Sequence, residues 1–184
     1  MNNPLKTREE FGCVKSICRS LFEKKMLDYG LSWRVMRPSS LTDQIMIKAR
    51  RIRSLEEKGG VGKINEGVEP EYIGIVNYCI IALIQLNTAP DVDLTPKQVM
   101  AEYDRWFDAA TALMDNKNND YDEAWRDMLI TSLTDIILQK LYRTRSIELN
   151  EGNTLVSEGI DANYMDMINY AIFALIKCGV CETK

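Results

Sequence analysis

Apolar residues recur along this chain at helical rather than strand spacing. Leu41, Ile45, Ala49 and Ile52 follow one another at steps of four, four and three, so they line one face of a helix. The pattern predicts helices over about Glu9 to Leu27, Leu41 to Glu57 and Glu71 to Leu86, then again over about Pro96 to Asn116, Leu133 to Leu149 and Asn163 to Lys177. Thr95-Pro96-Lys97-Gln98 supplies an N-cap, a proline at N1 and a capping-box glutamine, while Ser40 and Ser132 are the expected caps of the middle helices. The last helix of each set is apolar almost all round, as expected of a helix buried on most sides.

The two sets of helices are copies. A shift of 92 residues carries Asp28-Tyr29 onto Asp120-Tyr121, Trp33-Arg34 onto Trp125-Arg126 and Ser40-Leu41-Thr42-Asp43 onto Ser132-Leu133-Thr134-Asp135. Lys48, Arg51, Arg53 and Glu56 fall on Lys140, Arg143, Arg145 and Glu148 at the same shift, and Asn77-Tyr78 falls on Asn169-Tyr170. The chain is therefore an all-α tandem duplication, with a first helical repeat at 1–87, a linker at 88–94 and a second helical repeat at 95–184. So short a linker predicts two units packed into one pseudo-two-fold helical bundle.

Several polar residues interrupt the apolar faces. Glu56 continues the stripe of the first middle helix and Lys48 lies between Ile45 and Ile52; Glu148 and Lys140 repeat the arrangement. A buried charge costs several kcal/mol unless it is paired, so these positions need partners, and Arg53 and Arg145 one turn back are the nearest in sequence. Asn77 and Asn169 interrupt the last helices; Asp166 precedes Asn169 by one turn, where the first repeat has Gly74. On this reading the first repeat has lost a carboxylate that the second retains.

Composition narrows the chemistry. The 184 residues are 46% hydrophobic, enough for a real core, and 23 basic against 27 acidic residues give a formal charge of −4, which argues against an extended nucleic-acid surface. The absence of histidine removes imidazole bases and histidine-held zinc. The polar N-terminus and the lack of a long apolar run point to the cytoplasm and away from a membrane. In that compartment Cys13, Cys18, Cys79, Cys178 and Cys181 are expected as free thiols, with Cys178 and Cys181 at the spacing of a lone redox or metal pair.

What remains is carboxylates, lysines and aromatics. Glu148, Glu151, Glu158 and Asp166 make a set of oxygen ligands of the kind Mg²⁺ prefers. Trp125 and Tyr121 offer faces for a base, and Arg126, Lys140 and Arg143 offer charge for phosphate. At Lys117-Asn118-Asn119-Asp120-Tyr121, Lys140 with Arg143, Glu158 and Asp166-Met167-Ile168-Asn169-Tyr170-Ala171, the sequence resembles the nucleotide-modification-associated domain family. The first copy carries Lys25, Asp28-Tyr29-Gly30, Lys48, Arg51, Glu66 and Asn77-Tyr78-Cys79, and departs at Gly74. The resemblance implies a nucleotide partner, with Lys117, Asp120, Tyr121, Trp125, Arg126, Lys140, Arg143 and Asn169 as its contacts. More distantly, Glu148-Leu149-Asn150-Glu151 and Asp166-Met167-Ile168-Asn169 are similar to the acidic pairs of MazG-type all-α pyrophosphatases, with an amide in place of the last acid.

Two functions follow as expectations. The first is a Mg²⁺-dependent nucleotide-binding protein, a nucleoside triphosphate pyrophosphohydrolase or an accessory to nucleotide modification, with the second repeat as the better site. The second is a non-catalytic helical scaffold whose duplicated surface binds a protein or forms a homo-oligomer.

Overall fold

The computed structural model describes residues 4–59, 67–156 and 158–182, and within them every side chain except those of Pro4, Asn119, Asp120 and Tyr121. Six long helices run in the order α1 (Pro4–Tyr29), α2 (Pro38–Glu57), α3 (Glu69–Leu86), α4 (Pro96–Tyr121), α5 (Ile130–Leu149) and α6 (Ile160–Lys177), and the described residues contain no strand. A short 3₁₀ helix, Ser32–Val35 or Ala124–Asp127, joins the first and second helix of each repeat. None of the described helices is long and apolar enough to cross a membrane.

The helices stack in three pairs. α3 lies against α6 in the middle, α2 and α5 cover one side and α1 and α4 the other. α3 and α6 are apolar nearly all round because they have neighbours on both sides, and Ile75, Ile80, Leu83, Ile168, Ile172 and Leu175 are fully buried there. Each such side chain contributes about 1.5–3 kcal/mol relative to exposure. The core is one continuous cluster drawn from all six helices, so the two repeats are units of sequence that share a single interior.

Local signals explain most boundaries. The Thr95–Gln98 capping box forms as expected: the Gln98 backbone N–H donates to Thr95 Oγ1, and the Thr95 backbone N–H donates to Gln98 Oε1 at 2.9 Å. Ser40 and Ser132 are not caps. α2 begins three residues earlier than expected because Pro38 occupies its first turn, where a missing N–H costs nothing, and α5 begins at Ile130 in register with it. α1 ends where Gly30 turns left-handed (φ 61°) and donates its N–H to the Met26 carbonyl at 2.9 Å; α4 ends the same way at Asp122 (φ 51°), bonded to Asn118.

Charged and polar links cross between the repeats in matched pairs. Arg53 reaches Asp135 at 3.6 Å as well as Glu57 of its own helix at 3.2 Å, and Arg145 reaches Asp43 at 2.8 Å, so the arginines are directed to these acids and not to Glu56 and Glu148. Those glutamates are held instead by the opposite repeat. Thr134 Oγ1 donates to Glu56 at 2.7 Å and lies 2.6 Å from Tyr72 Oη, while Thr42 Oγ1 donates to Glu148 at 2.7 Å and lies 2.6 Å from Tyr164 Oη. Burial raises the pKa of both Glu56 and Glu148, and the hydroxyl hydrogen bonds offset only part of that rise.

The cysteines depart from expectation. Cys13 of α1 and Cys181 beyond α6 are joined in a disulfide, and Cys18, Cys79 and Cys178 are free. The Cys178–Cys181 spacing had suggested a local pair; Cys181 turns instead toward α1, which the chain brings alongside from 168 residues away. Burial pushes the Cys178 thiol up to about 11.

Candidate functional site

Each repeat forms a cavity where its first helix, its 3₁₀ turn and its last helix meet. The first repeat's cavity, about 220 Å³, is lined by Lys25, Tyr29, Trp33, Lys48, Asn77 and Tyr78 among others. The second, about 340 Å³, is lined by Lys117, Trp125, Asp166, Asn169, Tyr170 and Phe173 among others. These are corresponding places, since Lys25, Trp33, Asn77 and Tyr78 fall on Lys117, Trp125, Asn169 and Tyr170. α1 and α4 differ over most of their length. Apart from Pro4/Pro96 and Glu10/Glu102 they are identical only at Leu21/Leu113, Lys25/Lys117, Asp28/Asp120 and Tyr29/Tyr121, the stretch that meets the cavity.

In the second repeat Asp166 is buried between two lysines. Lys117 Nζ donates to its Oδ1 at 2.6 Å and Lys140 Nζ to its Oδ2 at 2.5 Å. Burial opposes the charge on Lys117, but the hydrogen bond and field of Asp166 outweigh it and raise the lysine's pKa. Trp125, 5% exposed, is sandwiched: Phe173 stacks on the ring at 4.3 Å with 7° between planes, and the Arg126 guanidinium sits 4.3 Å from its centroid.

The first repeat answers the same need differently. Lys48 Nζ meets Glu71 Oε2 at 3.3 Å, and Arg51 donates to the other oxygen of Glu71. Glu71 falls on Asn163 of the second repeat, and Gly74 falls on Asp166. The carboxylate has moved by one helical turn rather than vanished, which corrects the expectation that the first repeat lost it. The Lys48 tail lies across Gly74, where a Cβ would sit 2.7 Å from its Cε.

The remaining expected contacts are dispersed. Arg126 donates to Glu123 at 2.8 Å and to Glu10 and Thr7 at 2.7 Å, so its guanidinium ties the second repeat to α1 and is not directed at a phosphate. Arg34 is likewise engaged, with Gln85 and the carbonyls of Ala89 and Val92. Arg143 is exposed and lines a separate groove of about 900 Å³ with Lys140, Asn150, Glu158 and Asn163. Asn169 donates to the Ala110 carbonyl at 2.8 Å, and its Oδ1 is buried without a partner among the described residues. The side chains of Asp120 and Tyr121, and all of Glu66, lie outside the described residues.

The four carboxylates expected to hold Mg²⁺ do not converge. Asp166 is engaged by lysines, Glu148 by Thr42, Glu151 is exposed in a left-handed turn (φ 54°) and Glu158 is exposed in the loop. Among the described residues no three acidic or thiol groups are close enough to share a metal ion, so the donor set does not fit one. The sequence grouped these residues by spacing along α5 and α6, but the two-fold packing turns Glu148 toward the other repeat.

No match was found among curated proteins or among solved structures. The model of the family described as nucleotide modification associated domain 1 matches the chain twice, over residues 25–86 and 117–178. Both matches begin at the cavity lysine, Lys25 or Lys117, and leave out most of the divergent helices α1 and α4. The chain therefore belongs to the nucleotide modification associated domain 1 family, as a tandem pair of its domains.

Proposed function

We propose that the protein binds a nucleotide in the cavity formed by first helix, 3₁₀ turn and last helix. The observation that carries this is the coincidence of three things at one place: a cavity, a tryptophan in its wall together with two lysines in the first repeat and one in the second, and the short stretch of α1 and α4 that stayed alike while the rest diverged. Aromatic faces and lysines are what a base and a phosphate require. The family's description, with its reference to nucleotide modification, agrees with that chemistry. The proposal carries binding and not hydrolysis, because the carboxylates a MazG-type reaction would need are engaged by Lys117, Lys140 and Thr42.

Equilibrium dialysis of the full chain against nucleosides and their mono-, di- and triphosphates, with and without Mg²⁺, tests it. Retention of at least one nucleotide, independent of Mg²⁺, is expected. Retention of none would favour the scaffold, in which the crossed links between repeats are the point of the fold.

A further inference from the structure

The two cavities descend from one design, yet they present different chemistry to a ligand. Around the first gather Lys25, Lys48, Arg51 and Glu71, and around the second Lys117, Lys140 and Asp166, since Arg143, the counterpart of Arg51, lines the separate groove. The placement of the carboxylate differs as well. Asp166 lines the second cavity and neutralises it from inside, whereas Glu71 stands one turn away, on the side of Arg51, and leaves Lys25 and Lys48 as the charged residues that line the first. Lys25 has no carboxylate partner among the described residues, and Gly74 leaves the Lys48 tail room to lie along the cavity floor.

The aromatic walls differ in the same direction. Both faces of Trp125 are covered, by Phe173 and by Arg126, so no base can stack on it. Trp33 is half-buried; its second-repeat stacking partner, Phe173, corresponds to Ile81, and the Arg34 guanidinium is 6.0 Å from its centroid rather than 4.3 Å. Tyr29 beside it is 69% exposed. The first cavity therefore offers a half-buried indole on which no other ring stacks, with two lysines, while the second offers an indole covered on both faces and a lysine pair that shares one carboxylate.

From this difference, and resting on the nucleotide reading above, we infer that the first repeat alone holds the ligand, a nucleoside carrying a single phosphate, with the base against Trp33 and the phosphate between Lys25 and Lys48. A phosphate monoester carries a charge of about −2 near neutral pH, and Lys25 together with Lys48, whose carboxylate partner Glu71 is shared with Arg51 outside the cavity, offers it two ammonium groups. The second and third phosphates of a triphosphate would find no further cation lining the cavity. The better site is then the repeat that lacks Asp166, the reverse of the sequence expectation.

Calorimetric titration of the full chain with purine and pyrimidine nucleoside 5′-monophosphates, with the parent nucleosides and with the triphosphates, tests the inference. One monophosphate per chain is expected, with the parent nucleoside and the Lys25→Gln variant each weaker by about tenfold or more. Glu71→Asn combined with Gly74→Asp copies the second repeat's carboxylate into the first; it should keep the fold, checked by its urea melt, and lose the monophosphate. Two equivalent sites per chain, or a single site that survives both Lys25→Gln and the double variant, would overturn the inference while leaving the nucleotide reading in place. A tighter triphosphate than monophosphate would overturn the choice of ligand. No binding of any nucleotide by the unaltered chain would overturn both.

Discussion

Lys48 and Lys140 hold the same position in two copies of one unit, and each is balanced by a carboxylate from the next helix, but from different turns of it. In the first repeat Glu71 serves, three residues before the place from which Asp166 serves in the second. The pairing requirement has been kept while its supplier changed, because residues one turn apart lie on the same helical face and reach the same lysine. What did not stay constant is the side of the lysine from which the negative charge comes. One turn of helix decides whether the carboxylate lies in the cavity or behind it, and with that whether the cavity attracts an anion.

The strongest way to break this comparison is to remove each carboxylate. Asp166→Ala strands Lys140, whose side chain is 12% exposed, beside Lys117, and should lower stability by about 3–5 kcal/mol. Glu71→Ala should cost less, about 2 kcal/mol, because Lys48 and Arg51 keep 24% and 32% exposure and water can take over part of the solvation. Urea melts of the two variants check the order. If Asp166→Ala proves harmless, the lysines are not held by it and the equivalence of the two arrangements fails.

A smaller effect tests the crossed links. Thr42→Val leaves the half-buried Glu148 and the fully buried Tyr164 without the hydroxyl that joins them, which should cost about 1–3 kcal/mol. Thr134→Val should cost the same within error, since Glu56 and Tyr72 repeat the arrangement. Unequal losses would show that the pseudo-two-fold is geometric but not energetic.

A third substitution restores a symmetry that the chain lacks. Asn77 Oδ1 accepts from Tyr103 of α4 at 2.8 Å, and the residue corresponding to Tyr103 in α1 is Phe11, which has no hydroxyl. That accounts for the unpartnered oxygen of Asn169. Phe11→Tyr should supply the missing donor and raise stability by about 0.5–1.5 kcal/mol, read as a higher urea midpoint. A lower midpoint would mean that Phe11, packed edge-on to Phe173 at 5.8 Å, has no room for the added oxygen.

These cases also show which parts of the molecule were legible in the chain. Helix positions and the duplication were, because periodicity and a fixed 92-residue shift are properties of neighbouring letters. Lys140 and Asn169 stand out as polar interruptions of apolar stripes, Trp125 as a repeated aromatic and Lys117 through the family resemblance, and all but Lys140 line the second cavity, with Lys140 bonded to its wall at Asp166. The partner of Glu148 was not legible. Thr42 lies 106 residues away, and nothing local distinguishes it from any other helical threonine. Position by position Gly74 reads as a lost carboxylate, whereas a helix can make the same contact from one turn earlier. Glu71 carried that information, as an acid in the first turn of α3 opposite Asn163 in the second copy, but only the packing of α2 on α3 connects it to Lys48.

The smallest expected effect concerns pH and the pair Glu56 and Glu148. Burial raises both folded-state pKa values above the ordinary carboxylate value of 4.5, so the folded chain takes up protons more readily than the unfolded chain. Their contribution is most favourable below that value and declines as pH rises through the folded pKa, after which it is flat. Asp104 works in the opposite sense: burial opposes its charge, but the hydrogen bond and field of Arg19 outweigh it and lower its pKa, so its stabilisation is lost only as pH falls. Comparing the unaltered chain with Glu56→Gln/Glu148→Gln cancels Asp104 and isolates the pair. The neutral amides have no charge to bury, so the variant should gain on the unaltered chain as pH rises from about 4 to about 7, by less than about 1 kcal/mol because both carboxylates keep contact with water. Urea midpoints at intervals across that range measure the gap. A gap that closes with rising pH would mean that the threonine and tyrosine hydroxyls stabilise the ionised carboxylates more than burial destabilises them, and the crossed links would then be anion clasps rather than places where the fold tolerates a charge.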